Sequence, residues 1–176
     1  MFVILLFAGH ETTTNLIGNG LVELMRHRDQ SERLCADPSL IPYAVEELLR
    51  WVTPVQWLGR VATESFELDG VRIEAGQTVF PVLAAANRDP EVFADPDRLD
   101  VTRRDAKDHL ALGFGPHFCI GNALARLEAT VAFTTLATSF PGIELAADEL
   151  VWKGNAMLRG LTALPVRLGS NRGPTA

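Results

Sequence analysis

A mainly α-helical fold with small β-sheets is the class this sequence predicts, and three observations predict it. Long stretches near the start and over residues 122–139 read as helical, a shorter stretch between them alternates in the manner of strands, and an Asp-Gly pair marks a hairpin within it. The 176 residues are 47% hydrophobic and 22% charged, the balance of a globular protein, and their number fits one domain. A net charge of −6 argues against a nucleic-acid partner, because phosphate neutralisation needs a concentrated positive face.

The chain opens on the apolar run Met1–Ala8. That run falls far short of the ~20 residues of a membrane span and lacks the basic flank and cleavage site of a secretory signal, so neither membrane nor export is expected. Continued through Gly9-His10-Glu11-Thr12-Thr13-Thr14 and LIGNGLVELM, it predicts a helix from about Phe2 to Arg26 with a deeply buried start, Arg26 favouring its C-terminal end. A short helix fits Ser31–Ala36. Pro38 and Pro42 interrupt, and Val45, Leu48, Leu49 and Val52 place an amphipathic helix over Tyr43–Trp51, ended by Pro54.

From Val55 to Pro81 the residues turn β-branched and alternating, and Leu68-Asp69-Gly70-Val71 signals a hairpin between FEL and VRI. Residues Asn87–His109, interrupted by Pro90 and Pro96 and dense in charge, show no sustained period and read as an irregular coil after a short helical turn; loops of that length usually carry function. A glycine-rich stretch, Gly113 to Gly121, leads into a helix over Asn122–Ser139. The tail, through Val151-Trp152 and Leu161–Leu168, predicts a last hairpin.

Three groups of residues can carry chemistry. Cys119 lies among Gly113, Gly115 and Gly121 at the mouth of a helix, where backbone N–H groups and the positive end of the dipole stabilise negative charge. It reads as an inert thiol in a turn, as a nucleophile partnered by His117, or as a soft ligand; a zinc site lacks a second cysteine at ligand spacing, whereas a single thiolate suits haem iron. Glu47 and Arg50 share a helix face at i, i+3, a pairing that on its own is common on solvated surfaces. Glu11 and Thr12 put an acid and a hydroxyl into an apolar helix beside Gly9, either as a proton relay or as ordinary back-bonding to the helix.

In this order and spacing the three motifs resemble the C-terminal half of the cytochrome P450 family, the haem-thiolate monooxygenases, and its soluble bacterial members in particular. Ala8-Gly9-His10-Glu11-Thr12-Thr13 is similar to the oxygen-activation stretch of the family's central helix, which implies Thr12 and Glu11 as the alcohol and acid that deliver protons. Glu47-Leu48-Leu49-Arg50 resembles the structural Glu-x-x-Arg pair, with Arg98 of Pro96-Asp97-Arg98 as its third partner. Gly113-Phe114-Gly115-Pro116-His117-Phe118-Cys119-Ile120-Gly121 resembles the haem signature, implying haem b with Cys119 as axial thiolate, Phe114, Gly113 and Gly121 about it, and Arg60 and His109 on the propionates. Leu112 and Leu99 stand where the family usually has Phe.

The resemblance implies a cytoplasmic enzyme that takes dioxygen and a small hydrophobic organic substrate, with Ala8, Val55, Gln56 and Met157 in the substrate pocket. Ferredoxin and ferredoxin reductase would donate electrons, docking at Arg103, Arg104, Lys107 and Arg126. Complete members are much longer, so residues 1–176 are expected to be part of a single domain whose N-terminal half is absent. A haem-binding fragment without monooxygenase turnover is the alternative.

Overall fold

Apolar residues at Ile41, Ala44, Val45, Leu48, Leu49 and Val52 follow the 3.6-residue period, and all are buried on one side of the helix around which the molecule is built. The computed structural model describes residues 2–169, and the side chains of residues 2–5 and Phe7 lie outside the description. The elements are α1 (Phe2–Arg26), α2 (Arg28–Ala36), a 3₁₀ turn at Pro38–Leu40, and α3 (Ile41–Val52). They continue with β1 (Arg60–Val61), β2 (Phe66–Leu68), β3 (Val71–Ile73), β4 (Thr78–Val79), α4 (Leu83–Ala86), α5 (Asn122–Ser139), β5 (Glu144–Leu145) and β6 (Val166–Arg167).

Both long helices have the predicted bounds. The second helix begins at Arg28, ahead of the predicted Ser31, and α3 starts at Ile41 because Pro42 falls in its first turn, where a missing N–H removes no intrahelical bond. α1, α3 and α5 pack on one another around Leu16, Leu48, Ala129 and Phe133. Gly20 permits that approach: a Cβ there would sit 2.8 Å from Cζ of Phe133 and 3.3 Å from Cδ1 of Leu48.

The small sheets are three antiparallel pairs, β1 with β4, β2 with β3 and β5 with β6. Asp69 and Gly70 turn the β2–β3 hairpin with φ of 49° and 76°, the left-handed pair that a two-residue primed turn requires. The predicted tail hairpin is only partly formed. Trp152 bridges Leu161, but Val166–Arg167 pairs with Glu144–Leu145, so the end of the chain returns to the exit of α5. Of the apolar opening, Leu6 and Ala8 are exposed, so the deep burial expected there is not what these two side chains show; Met1 and the side chains of residues 2–5 and Phe7 lie outside the described residues.

Candidate active site

Two adjacent carboxylates of α3 hold the two shoulders of the Cys119 loop. Glu47, fully buried, accepts from Arg50 Nε at 2.7 Å and Nη2 at 2.9 Å, a bidentate pair, and also takes the Asp100 N–H at 2.9 Å and Arg103 Nε at 3.3 Å. The remaining Arg50 N–H groups reach the carbonyls of Asn87 (2.8 Å), Pro96 (2.9 Å) and Arg98 (3.4 Å). A fork of donors in fixed geometry thereby ties α3 to the irregular segment that precedes the loop.

The structure corrects one member of this network. Arg98 is exposed and contributes only its carbonyl; the second guanidinium at Glu47 belongs to Arg103, whose side chain is 8% exposed. Pro96-Asp97-Arg98 is where the motif points, but the chain turns inward only after it, at buried Leu99 and Val101.

Glu46, on the neighbouring face, clamps the other shoulder. Arg126 of α5 donates to it twice, at 2.6 and 3.0 Å, and reaches Asn122 Oδ1 at 3.1 Å; Asn122 Nδ2 donates in turn to the Cys119 carbonyl at 2.9 Å. Burial alone would raise the Glu46 carboxyl, but hydrogen bonds from His109 and Arg126 and the Arg126 charge outweigh it and hold the group at about 2. Arg126 is raised, chiefly by the bond to Glu46, with burial opposing and the charges of Glu46 and Cys119 adding.

A carboxyl depressed in the folded state adds stability that is complete above its unfolded value near 4.5 and is lost as pH falls through its folded value near 2. Acid unfolding followed by far-UV circular dichroism is therefore expected to show Glu46→Gln less stable than the native chain at neutral pH. The two should converge as pH falls from 4.5 toward 2, and a constant gap across that window would dissociate Glu46 from the acid sensitivity.

His109 does not line the cleft at Cys119. Its side chain is 2% exposed, with Nε2 3.3 Å from Glu46 and Nδ1 accepting the Ala111 N–H at 3.1 Å, which leaves the ring proton on the nitrogen facing the carboxylate. The imidazole that does line the cleft is His117, two residues before Cys119; the glycine-rich loop around it was the signal, read first as a partner for a nucleophile.

The cleft itself, about 170 Å³, receives Thr12 and Leu16 from α1, Leu49 from α3, Val55 and Leu58 from the following strand region, and Gly113, His117 and Cys119 from the loop. The Cys119 N–H donates to the Leu112 carbonyl at 2.9 Å, and Gly113, at φ 76°, makes the turn that brings the two together. A Cβ on Gly121 would lie 3.9 Å from Cys119 Sγ, against the sulfur. One sulfur on bare backbone, facing mostly apolar walls, fits a flat apolar group ligated through a single thiolate. Among the described residues no group of three or more His, Cys, Asp or Glu could hold a metal ion by itself.

The other predicted residues are distributed unevenly. Thr12 reaches the cleft, its hydroxyl donating to the Ala8 carbonyl at 2.7 Å, while Glu11 faces elsewhere and pairs with Lys153 at 3.1 Å. Ala8 is exposed, as is Phe114 at 84%. Arg60 is exposed on β1 and donates to the Gly59 carbonyl, outside the cleft. Val55 lines the cleft; Gln56 lines a separate polar recess beside Trp51 and Trp152, and only its N–H meets the Met157 carbonyl, at 2.8 Å.

Arg103, Arg104, Lys107 and Arg126 do share one surface recess, as their clustering predicted. Much of its charge is already engaged, Arg103 by Glu47 and Arg126 by Glu46, with Arg104 stacked 3.8 Å over the Tyr43 ring.

A family profile described as Cytochrome P450 matches residues 2–141. The chain is 52% identical over 167 residues to Cytochrome P450 monooxygenase PikC of Streptomyces venezuelae, covering 93% of this chain and 40% of that protein. It is 46% identical to 6-deoxyerythronolide B hydroxylase of Saccharopolyspora erythraea, covering 94% and 41% respectively. Among solved structures, the bacillaene polyketide synthase cytochrome P450 PksS of Bacillus subtilis superposes with a TM-score of 0.90 at 45% identity, over 94% of this chain and 43% of the other. The chain thus spans about 40% of the length of these curated relatives, and its mainly helical fold with small antiparallel sheets is theirs. The chain belongs to the cytochrome P450 family.

Proposed function

We propose that this chain is the thiolate-bearing, C-terminal portion of a single cytochrome P450 domain, and that the whole protein is a monooxygenase inserting one atom of dioxygen into a small hydrophobic organic substrate. The observation that carries the reading is Cys119 lining a mostly apolar cleft that Thr12 also lines. Haem b is the group this site suits, with Cys119 as its protein ligand and Gly113 and Gly121 leaving backbone bare beside it. When bound, the haem supplies dioxygen activation, to which a thiolate ligand donates electron density.

The chain's own residues supply position and protons. Thr12 Oγ holds a proton at the cleft, at present directed to the Ala8 carbonyl, and Glu11 lies one residue away as the acid that replenishes it. Leu16, Leu49 and Leu58 give the cleft apolar walls. His117, at the cleft, is better placed than His109 or Arg60 to meet the acidic edge of the haem. Val55 faces the substrate, and the Gln56–Met157 backbone bond fixes the strand that carries it.

Ferredoxin and its reductase are the electron donors of this reading, with Arg104 and Lys107 as the cations left on the surface recess near α5. No helix among the described residues is long and apolar enough to cross a membrane, and a net charge of −6 disfavours nucleic acid. We assign the protein to the cytoplasm, where thiols stay reduced. NAD(P)H consumption and oxygenated product are expected from the haem-loaded protein with ferredoxin and reductase. Thiolate-type haem binding with no oxygenated product would instead support a haem-binding fragment.

A further inference from the structure

Asn87 caps the C-terminal end of α4, is 0% exposed, and has a partner for each of its polar atoms. Its N–H returns to the Leu83 carbonyl at 3.0 Å, and its carbonyl takes Arg50 Nη1 at 2.8 Å. The side chain reaches two further segments: Oδ1 accepts the Leu110 N–H at 2.7 Å, and Nδ2 donates to Thr53 Oγ1 at 2.8 Å. A backbone N–H can only donate, so Leu110 fixes which end of the amide is which.

Those two bonds join parts of the cleft that are far apart in sequence. Thr53 ends α3 at φ 35°, a left-handed conformation that a β-branched residue rarely takes, and the chain runs straight on into Pro54 and Val55, which line the cleft. The Thr53 hydroxyl donates to the Arg50 carbonyl at 2.8 Å, which leaves an oxygen lone pair for Asn87. Leu110 opens the other segment. Its carbonyl takes the Gly113 N–H at 2.9 Å, and the Leu112 carbonyl takes the Cys119 N–H at 2.9 Å, so a chain of bonds runs from the end of α3 through Asn87 to the thiol residue. Leu83, one turn before Asn87, lines the cleft as well.

We propose that Asn87 is the positioning residue that sets the spacing between the Thr53–Val55 wall of the cleft and the loop that carries Cys119. It thereby fixes the size of the organic group the cleft admits beside the haem. A planar amide with one acceptor end and one donor end meets this need; a carboxylate has no donor, and a glutamine is a methylene longer. The bridge is separate from the Glu47 cluster, whose carboxylate holds the Asp100 N–H and Arg103. The inference rests on the haem-thiolate reading for what the cleft holds.

The test uses the haem-loaded protein and two nitrogen ligands of unequal size, imidazole and phenylimidazole, each titrated by the Soret shift it causes on binding iron. Thr53→Val keeps the shape of the side chain but removes the acceptor for Asn87 Nδ2. The ratio of the two Kd values is expected to shift about tenfold in favour of phenylimidazole as the wall relaxes, the scale on which a pocket discriminates by size. The reduced carbon monoxide band should stay at the thiolate position. A general loosening of the fold would weaken both ligands alike. Thr53→Ser, which keeps the hydroxyl, should give a ratio within about twofold of native. The other end of the bridge is read in the full chain by hydrogen exchange. In Asn87→Ala the Leu110 N–H should exchange about tenfold faster than in the native chain, whereas the Ala111 N–H, held by His109 Nδ1 at 3.1 Å, should not.

A Thr53→Val ratio within about twofold of native, or shifted toward imidazole, overturns the inference, as does a Thr53→Ser ratio no nearer to native or loss of the thiolate band in Thr53→Val. Unchanged exchange at Leu110 overturns it too. Equal acceleration at Leu110 and Ala111 makes Asn87 a general support of the fold and likewise overturns it. A native protein that never shows the thiolate band overturns the haem-thiolate reading and the size selection with it, while the contrast between Leu110 and Ala111 still reports the bridge itself.

Discussion

Cys119→Ser is expected to remove the red-shifted Soret band of the reduced carbon monoxide complex and to abolish turnover while leaving the fold in place. The sulfur is the ligand proposed for haem iron at the cleft, and a serine hydroxyl at the same position would neither ionise readily nor donate electron density in the same way. The local backbone does not depend on the side chain. The Cys119 N–H goes to the Leu112 carbonyl at 2.9 Å, and its carbonyl takes the Asn122 N–H at 3.2 Å and the Asn122 amide at 2.9 Å, bonds a serine keeps. The stability change should therefore stay within about 1 kcal/mol by chemical denaturation. A normal thiolate band in Cys119→Ser would move the ligand elsewhere and remove the basis of the proposed function; a band displaced to the position typical of imidazole would implicate His117, the other cleft residue able to bind iron.

What was legible in the sequence divides along physical lines. The bounds of α1 and α5 follow from sustained period and from the turn chemistry at Gly121, and the β2–β3 hairpin follows from Asp69-Gly70, because each of these is a local cause. Cys119 was legible for the same reason, glycines and a helix start being written into nine consecutive residues. The residues whose positions the sequence did not foretell lie where no period operates. Between Asn87 and His109 nothing in the sequence says which arginine turns inward; Arg98 sits in the motif, but the burial of Leu99 and Val101 reverses the chain so that Arg103 reaches Glu47. His109 and His117 were likewise distinguishable only by tertiary context, since Glu46 on α3 captures the first and leaves the second at the cleft. Lys153 carried no signal at all: its partner lies 142 positions earlier in the chain.

Glu47→Ala carries the largest expected loss of stability, about 3–5 kcal/mol, the usual consequence of removing one partner from a buried ion pair. The carboxylate is fully buried and is the acceptor for Arg50, for Arg103 and for the Asp100 N–H. Its removal leaves two guanidinium groups confined with no anion between them and an N–H with no acceptor. In a chain of this size the loss corresponds to a fall in Tm of roughly 6–20 °C. Glu46→Ala is the control, since its carboxylate is 18% exposed and water can replace part of what it loses; a smaller penalty is expected there. Equal penalties for the two would mean that burial is not what makes the Glu47 cluster costly to break. Replacing Glu47 and Arg50 together with leucine and methionine, often harmless for a simple buried pair, should not rescue the protein. Arg50 also donates to the carbonyls of Asn87, Pro96 and Arg98; the last two keep Arg88 and Arg103 as donors, but the buried bond to Asn87 is lost, and a buried acceptor left unpaired costs about 1–3 kcal/mol. Because those carbonyls belong to the segment leading into the Cys119 loop, the double variant should bind haem more weakly than Glu46→Ala, measured by haem titration at a temperature where both remain folded.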